Sequence, residues 1–118
     1  MSELDENLVE EFTEKLNSEI RRGALVLAVL GQLHQEHYGY SLRKTLGDHG
    51  LDVEEGTLYP LIRRLEKQGL LDSEWREEGK RKKRFYRLSA EGRAVFERLL
   101  ADWQSLNASV AQIVKSEV

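Results

Sequence analysis

The 118-residue sequence has no cysteine, a single proline and a single methionine. Without thiols the chain forms no disulfide and offers no thiolate to a metal, which fits a reducing compartment. No apolar run approaches the roughly 18 residues of a membrane span, and the acidic N-terminus is unlike a signal peptide. We therefore expect a cytoplasmic protein with no contact to a membrane, built as one domain around a modest core.

The sequence also lacks a positive net charge, since its 21 acidic and 18 basic residues give a formal charge of −3. These charges are segregated: residues 1–19 carry seven acids and one lysine, whereas residues 63–87 carry ten basic and five acidic residues. Charges separated by more than about 8 Å are largely screened at physiological salt. A basic surface can therefore attract a polyanion locally despite the acidic total.

Residues 54–71 (EEGTLYPLIRRLEKQGLL) have the periodicity of an amphipathic helix. Leu58, Leu61, Ile62 and Leu65 follow the i, i+3, i+4, i+7 spacing of a buried face. The opposite face and its flanks favour contact with a negatively charged groove, through Thr57, Tyr59, Pro60, Arg63, Arg64 and Lys67. An ordinary solvated charged face would give the same pattern if this helix stood alone.

Two short strands are predicted after this helix, over Leu71–Arg76 and Lys82–Leu88, with the glycine-containing connection EEGKR between them. Gly69 predicts the end of the helix, because glycine tolerates the left-handed conformation found there. The hairpin tip and its return strand carry a basic run of Lys80, Arg81, Lys82, Lys83 and Arg84. A basic hairpin directly after a basic-faced helix is typical of a winged helix, whose wing reaches phosphates beside the groove that the helix enters.

Several short motifs cover most of the chain. They are Arg22-Gly23-Ala24-Leu25, Tyr38-Gly39-Tyr40-Ser41-Leu42, Glu55-Gly56-Thr57-Leu58-Tyr59-Pro60, RLEKQGLL over 64–71 and RFYRLSAEG over 84–92. At this spacing the chain resembles the PadR family of winged-helix transcriptional regulators, in the subclass with a single C-terminal helix. The resemblance implies a mainly α-helical fold with a small β-hairpin, and a winged helix-turn-helix flanked by N-terminal and C-terminal dimerisation helices.

The first helices of this fold are also visible in the sequence. Ile20–Leu33 is apolar almost all round after Arg22 and predicts a helix buried on several sides. Ser41 is the predicted N-cap of a short helix that carries Leu42 and Leu46 inward. Arg43 and Lys44 on that helix are candidate phosphate contacts. His34 and His37 are spaced i, i+3 but have no third ligand nearby, so no metal or cofactor is predicted.

Both ends of the chain carry apolar residues at helical spacing. Near the N-terminus they predict an amphipathic helix, or the first half of a longer one, through Leu4, Leu8, Phe12 and Leu16. After Ser89, the predicted N-cap of the last helix, steps of three and four indicate a coiled-coil seam through Phe96, Leu99, Trp103, Leu106, Val110 and Ile113. We therefore expect an acidic extension over 1–17, a winged domain over 18–89 and a dimerisation helix over 90–118. An acidic arm that mimics DNA is the alternative for the extension.

The function that these patterns favour is sequence-specific binding of double-stranded DNA by a homodimeric transcriptional repressor. The alternative is a winged-helix module that binds protein and no nucleic acid, although such a module needs no run of five cations. An enzyme is poorly supported: Ser41, Ser73 and Ser89 show no nearby histidine, and no glycine-rich phosphate loop is present.

Trp103 lies in the middle of the seam, where leucine or isoleucine would pack more simply. Two such side chains across a two-fold axis would form a flat apolar slot for a small planar aromatic effector, bounded by Phe96, Leu99, Leu106 and Val110. Polar contacts would come from Asp102, Gln104, Ser105 and Asn107. The resemblance agrees, since PadR-like regulators often respond to phenolic or planar drug-like molecules. Plain packing of Trp103 is the simpler alternative.

Overall fold

The computed structural model of the protein describes residues 3–116, and the described chain is elongated, with a longest dimension of 64 Å. Its elements in chain order are α1 (Glu6–Gln32), β1 (His37–Tyr38), α2 (Gly39–Asp48), α3 (Glu55–Lys67), β2 (Leu71–Glu78), β3 (Arg81–Leu88) and α4 (Ala90–Ser116). This order confirms the predicted fold class, a mainly α-helical winged helix with a small hairpin.

The small sheet has the strand order β1-β3-β2, and both pairings are antiparallel. The hairpin is longer than predicted, because Glu78 still pairs with Arg81 and only Gly79 and Lys80 form the turn. Gly79 adopts a φ of 63°, which a glycine accepts without strain. The sequence analysis missed β1, in which His37 pairs with Tyr86. A strand of two residues owes its hydrogen bonds to a distant partner and has no periodicity of its own.

The first helix is continuous and includes both predicted N-terminal segments. It begins where the Leu8 amide donates a hydrogen bond to Asp5 Oδ1 at 3.1 Å, and it runs without a break across residues 17 and 18. The prediction that the stretch after Arg22 is buried on several sides is confirmed by Leu25, Val29 and Leu30, whereas Ile20 before it is 72% exposed. Burial begins at Leu25, because the other elements pack only against the C-terminal part of α1.

The core lies between the end of α1, α2, α3 and the base of the hairpin. Its buried residues are Leu25, Val29, Leu30, Leu33, Leu42, Leu46, Leu58, Leu61, Ile62, Leu65, Leu71 and Leu88. The predicted inward faces of α2 and α3 are therefore confirmed. A core of this kind is stabilised mainly by removal of apolar side chains from water.

Helix α2 begins three residues earlier than predicted, with Tyr38 as its N-cap. Ser41 is not its N-cap: the Ser41 hydroxyl lies inside the first turn, accepts from the Tyr38 amide at 3.1 Å and donates to the Tyr38 carbonyl at 3.0 Å. The expectation of no histidine near Ser41 was also wrong, because His37 Nδ1 lies 3.0 Å from its hydroxyl oxygen. The hydroxyl is used to hold the start of the helix.

The end of α3 and the start of α4 are fastened to each other. Gly69 ends α3 with a φ of 84°, as predicted. Ser89 is confirmed as the N-cap of α4, since its hydroxyl accepts from the Gly92 amide at 3.0 Å and donates to the Gly69 carbonyl at 2.7 Å. A Cβ on Gly92 would lie 2.0 Å from the Leu70 carbonyl oxygen, so this contact requires glycine.

Candidate nucleic-acid interface

The front of α3 is the face opposite its buried leucines. Thr57, Pro60, Arg63, Arg64 and Lys67 are all exposed on this face or its flanks. Within the described part of the chain, the three basic side chains make no hydrogen bond or ion pair. The helix therefore presents three unneutralised cations in a row on a rigid element whose back is fixed in the core.

Tyr59 differs from the other α3 candidates because it is half-buried beside α2. A Cβ on Gly39 would lie 2.8 Å from the Tyr59 ring, so glycine at this position permits the close approach of α2 and α3. Burial and the nearby Glu55 carboxylate raise the pKa of Tyr59, against a smaller lowering by Arg43. The phenol is neutral at physiological pH and braces the two helices.

The wing tip consists of Lys80, Arg81 and Lys82. All three residues are exposed, and their side chains form no ion pair with the residues that the structure describes. They extend the positive surface of α3 to a second element. A flexible, exposed cation of this kind suits contact with phosphate oxygens.

The last two basic residues of the run have partners. Lys83 Nζ lies 3.2 Å from Glu78 Oε2 and 4.2 Å from the centre of the Tyr38 ring. Arg84 Nη2 donates to Glu66 Oε2 at 2.7 Å, and its Nε donates to the Ser73 hydroxyl at 2.9 Å. The sequence analysis grouped these residues with the tip, whereas their charges are neutralised within the chain.

Glu66 connects α3 with both strands of the wing. Its Oε2 accepts from Arg84 on β3 and from the Ser73 hydroxyl on β2. Burial alone would raise the pKa of the Glu66 carboxyl, but the hydrogen bonds from Ser73 and Arg84 outweigh it and lower the pKa. Glu66 is therefore ionised at neutral pH, and it fixes the angle between α3 and the wing. Sequence reasoning missed this residue.

A second brace holds the wing to the loop before β1. Arg76 on β2 forms a hydrogen-bonded ion pair with Glu36, with Nη2 to Oε2 at 2.6 Å, and a further pair with Glu74. The guanidinium also lies 4.8 Å from the centre of the Phe85 ring. Ion pairs at such exposed positions contribute little net stability, so their main effect is on orientation.

The α2 candidates Arg43 and Lys44 also have partners in the chain. Arg43 Nε donates to the Val53 carbonyl at 3.0 Å, and its Nη1 lies 3.3 Å from Glu55 Oε1. Lys44 Nζ lies 3.6 Å from Asp48 Oδ2. Arg43 thus joins α2 to the connection before α3, and contact with phosphate would require either side chain to exchange partners.

The predicted seam residues of α4 divide into two groups. The Phe96 ring packs within its own chain, where it meets His34 edge-on with ring centres 4.7 Å apart and closely approaches Gly31 of α1. Beyond this contact the helix is exposed, with Trp103 at 46% and Leu106 at 62% exposure. Other exposed apolar side chains include Leu99 and Val110 on α4, and Leu8, Phe12 and Leu16 on α1.

The two spaced histidines have separate local partners. His34 Nδ1 lies 2.9 Å from the Gly31 carbonyl oxygen, whereas His37 contacts Ser41. Among the described residues, no cluster of three histidine or carboxylate side chains has the geometry of a metal site. No described helix combines the length and apolarity needed to cross a bilayer.

Known proteins match this chain in sequence and in fold. The transcriptional regulator Rv3488 of Mycobacterium tuberculosis is 43% identical over 77 residues, which cover 64% of this chain and 72% of that protein. A PadR family transcriptional regulator from Eggerthella lenta is 43% identical with a TM-score of 0.85, and the match covers 91% of this chain and 96% of that one. A PadR-like transcription factor from Bacteroides fragilis is 34% identical, with a TM-score of 0.72 over 84% of this chain and 98% of that one.

The family profile described as "Transcriptional regulator PadR-like family" matches residues 26–98, more than half of the chain. This span contains α2, α3 and the whole wing, so the match rests on the elements that present the exposed cations. The recognition made from the sequence motifs is confirmed. The chain belongs to the PadR-like family of transcriptional regulators.

Proposed function

We propose that this protein is a homodimeric repressor that binds a specific sequence in double-stranded DNA. The observation that carries the proposal is the set of unpaired cations on two elements, Arg63, Arg64 and Lys67 on α3 and Lys80–Lys82 at the wing tip. A protein-binding winged helix has no need for two neighbouring cationic elements whose charges the chain leaves unneutralised. A DNA duplex supplies the missing negative charge on both sides of a groove.

The two elements have different tasks in this proposal. The front of α3 enters the major groove, where Arg63 or Arg64 pairs with a guanine and contributes about 1–3 kcal/mol of discrimination. Thr57, Tyr59 and Pro60 border the same groove. The wing tip contacts phosphates or a minor groove and contributes affinity without sequence preference.

The exposed apolar arms supply the argument for a dimer. The first half of α1 and the second half of α4 bury little within the described chain, although both are rich in large apolar side chains. Burial of these side chains between two copies would stabilise the dimer by removing apolar surface from water. In a two-fold dimer these arms cover each other, and two copies of α3 are placed about 34 Å apart, one turn of DNA.

The proposed repressor is relieved by a small planar aromatic molecule between two copies of Trp103. The exposed indole lies among Leu99, Leu106 and Val110, which would complete an apolar slot across the two-fold axis. Such a ligand weakens DNA binding only if it binds more tightly to a conformation of the dimer in which the spacing of the two α3 helices does not match the operator. The resemblance to ligand-responsive relatives supports this choice of effector.

Footprinting on the DNA that flanks the protein's own gene tests the DNA-binding function. We expect a protected, approximately palindromic site, and we expect the triple variant Arg63→Ala, Arg64→Ala, Lys67→Ala to lose it. As a control for folding, Leu65→Ala removes a buried side chain from the same helix and is expected to cost about 2–5 kcal/mol of stability. No specific binding by the folded wild type would instead favour the protein-interaction module.

Sedimentation tests the dimer independently of DNA. We expect a dimer at micromolar concentration, and a monomer with intact far-ultraviolet circular dichroism when both Trp103 and Leu106 are replaced by glutamate. Leu8 and Phe12 on α1 provide a second pair for the same test. A wild type that sediments as a monomer would contradict the proposed dimer.

A further inference from the structure

An aromatic cleft lies between α2, α3 and the wing. Its volume is about 390 Å³, and its aromatic residues are Tyr38, Tyr40, Tyr59, Trp75 and Tyr86, which together we name the tyrosine cleft. Its lining also includes Gly39, Ile62 and three cations, Arg63, Lys83 and Arg84. Small-molecule sites in proteins have volumes of about 300–1,000 Å³ and are mainly apolar with a few convergent polar groups. The cleft therefore has the size and lining of a ligand site.

The walls of the cleft are held in place before any ligand arrives. The rings of Tyr38 and Tyr40 are stacked, with centres 6.3 Å apart and an interplanar angle of 22°. The Arg84 guanidinium lies 5.5 Å from the centre of the Trp75 ring and 5.8 Å from that of Tyr86. Because Glu66 and Ser73 anchor Arg84, the aromatic walls need little rearrangement, which lowers the cost of binding.

The charge of the lining selects the class of ligand. Lys83 and Arg84 are paired with Glu78 and Glu66, whereas Arg63 has no carboxylate partner among the described residues. Burial raises the pKa of Tyr86; the positive charges of Arg84 and Arg63 oppose that shift, and the Glu66 carboxylate adds to it. A bound anion would meet one free guanidinium beside several flat apolar faces.

A larger cavity of about 590 Å³ between α2 and the following connection lacks these features. Its lining combines Arg43 and Lys44 with Asp48, Asp52 and Glu54, and Tyr40 is its only aromatic residue. The opposite charges there already neutralise one another, with Lys44 paired to Asp48 and Arg43 paired to Glu55. Of these two cavities, the tyrosine cleft is the one that joins aromatic walls to an unpaired cation.

We propose that the tyrosine cleft binds a small planar aromatic carboxylate, whose ring lies against the tyrosines and Trp75 and whose carboxylate pairs with Arg63. Aromatic faces attract a flat ring through area burial and offset stacking, and an arginine binds a carboxylate through two parallel hydrogen bonds. The site is complete within one protomer, in contrast to the slot at Trp103. A bound carboxylate would occupy Arg63 and so compete directly with DNA, a consequence that rests on the proposed function.

The two tryptophans of the chain allow the ligand to be located. Trp103→Phe leaves Trp75 in the cleft as the only indole, and Trp75→Phe leaves only Trp103. The probe is 4-nitrobenzoate, which quenches tryptophan, and its uncharged counterpart is 4-nitrobenzyl alcohol. We expect saturable quenching of Trp75 in the Trp103→Phe protein, with the alcohol binding about tenfold more weakly, or ~1.4 kcal/mol.

The role of Arg63 is tested in the same Trp103→Phe background. Arg63→Gln should weaken binding of 4-nitrobenzoate about tenfold, ~1.4 kcal/mol, and leave binding of the alcohol unchanged. Arg98→Gln, which removes an exposed arginine from α4, serves as the matched control and should change neither. Linear quenching without saturation, equal binding of acid and alcohol, or full affinity in Arg63→Gln would each overturn the proposal.

Adding labelled operator DNA separates this inference from the proposed function. We expect 4-nitrobenzoate to raise the apparent Kd for DNA in the Trp103→Phe protein over the same concentration range that quenches Trp75. Saturable quenching of Trp75 in a protein that binds no DNA would keep the cleft and reject the DNA-binding function. DNA binding without saturable quenching of Trp75 would support the DNA-binding function and reject the ligand site in the tyrosine cleft. Saturable quenching confined to Trp103 would reject it as well and place the ligand in the slot on α4.

Discussion

The basic residues of α3 and the wing tip differ from those of α2 and from Lys83 and Arg84 on β3 in what they contact. The first group has no ion pair within the described chain and consists of Arg63, Arg64, Lys67, Lys80, Arg81 and Lys82. Each member of the second group lies within 4 Å of a carboxylate: Arg43, Lys44, Lys83 and Arg84. We call these the free cations and the held cations.

The comparison shows that a basic run does not contribute to DNA binding uniformly along its length. A free cation that meets a phosphate displaces condensed counterions from DNA, and this release drives binding. A held cation must exchange one anionic partner for another, so its net gain is small, but its existing pair fixes the angle between elements. The free cations therefore supply affinity, and the held cations shape the surface that presents them.

The largest expected effect comes from removing the three free cations of the wing tip. Replacing Lys80, Arg81 and Lys82 with glutamine should reduce the slope of log K against log salt by up to about 2.7, which corresponds to on the order of 100-fold weaker binding at physiological salt. The loss should be the same for operator and unrelated DNA. Fluorescence anisotropy over a salt series measures both quantities.

The matched control for the wing tip is the held lysine pair Lys44→Gln, Lys83→Gln. This variant removes two positive charges. It should change the salt slope far less than the removal of two charges at the wing tip, because each lysine already has a carboxylate partner. Equal slope changes per charge in the two variants would remove the distinction between free and held cations.

A smaller and sequence-dependent effect is expected from Arg63→Ala. Loss of one bidentate contact to guanine should cost about 1–3 kcal/mol on the operator. The affinity for unrelated DNA should fall only by the contribution of one charge that neutralises a phosphate. A competition assay with operator and mutated operator measures the specificity ratio, and a ratio unchanged by both Arg63→Ala and Arg64→Ala would mean that neither arginine reads a base.

Much of this molecule was predictable because its signals are local. The spacing of Leu58, Leu61 and Leu65 identified the buried face of α3, and the caps at Gly69 and Ser89 depend on a few adjacent residues. The short motifs identified the family for the same reason. Local periodicity also identified the exposed positions opposite the core face of α3, whereas Tyr59 on the flank is half-buried against α2, a contact that the periodicity does not reveal.

The division into free and held cations was not predictable, because it depends on contacts between distant residues. Arg84 reaches Glu66 across 18 positions, and Arg76 reaches Glu36 across 40. In the sequence, Arg84 is indistinguishable from its neighbours in the basic run. Strand β1 was missed for the same physical reason, since its pairing with β3 lies far away along the chain.

The variant Glu66→Gln tests the division into free and held cations, because the two possibilities predict opposite changes in DNA affinity. If Arg84 contacted DNA directly, Glu66→Gln would free its charge and strengthen binding. We expect the opposite, a decrease in DNA affinity of at most about threefold, because the wing loses its fixed angle to α3 when this weak surface pair is removed.

The control for Glu66 is Asp72→Asn, which removes an exposed acid from the same wing without breaking an ion pair of the described chain. This variant should leave DNA affinity unchanged or raise it slightly, since only a distant repulsion is lost. Stronger binding by Glu66→Gln than by Asp72→Asn would show that Arg84 belongs with the free cations.

The smallest expected effect concerns His37, whose ring is held on one side only. The Ser41 hydroxyl donates its proton to the Tyr38 carbonyl, so His37 Nδ1–H is the donor to that oxygen at 3.0 Å. Nε2 is buried and has no hydrogen-bond partner in the described chain. Protonation of Nε2 would create a buried charge without an acceptor, and burial accordingly lowers the pKa of His37 below its ordinary value of about 6.5.

The sign of the pH dependence follows from this shift. Below a pH of about 6.5 the unfolded chain takes up a proton at His37 that the folded chain resists, so stability falls as the pH drops from there toward the lowered folded value. In His37→Asn the amide nitrogen can replace Nδ1 as donor to Ser41, and nothing titrates. We expect the decrease in Tm between pH 7.5 and 5.5 to be smaller in this variant than in the wild type, and the exposed His34→Asn to retain the full decrease. An equal decrease in wild type and His37→Asn would show that the unpartnered nitrogen reaches water and that the ring is not held.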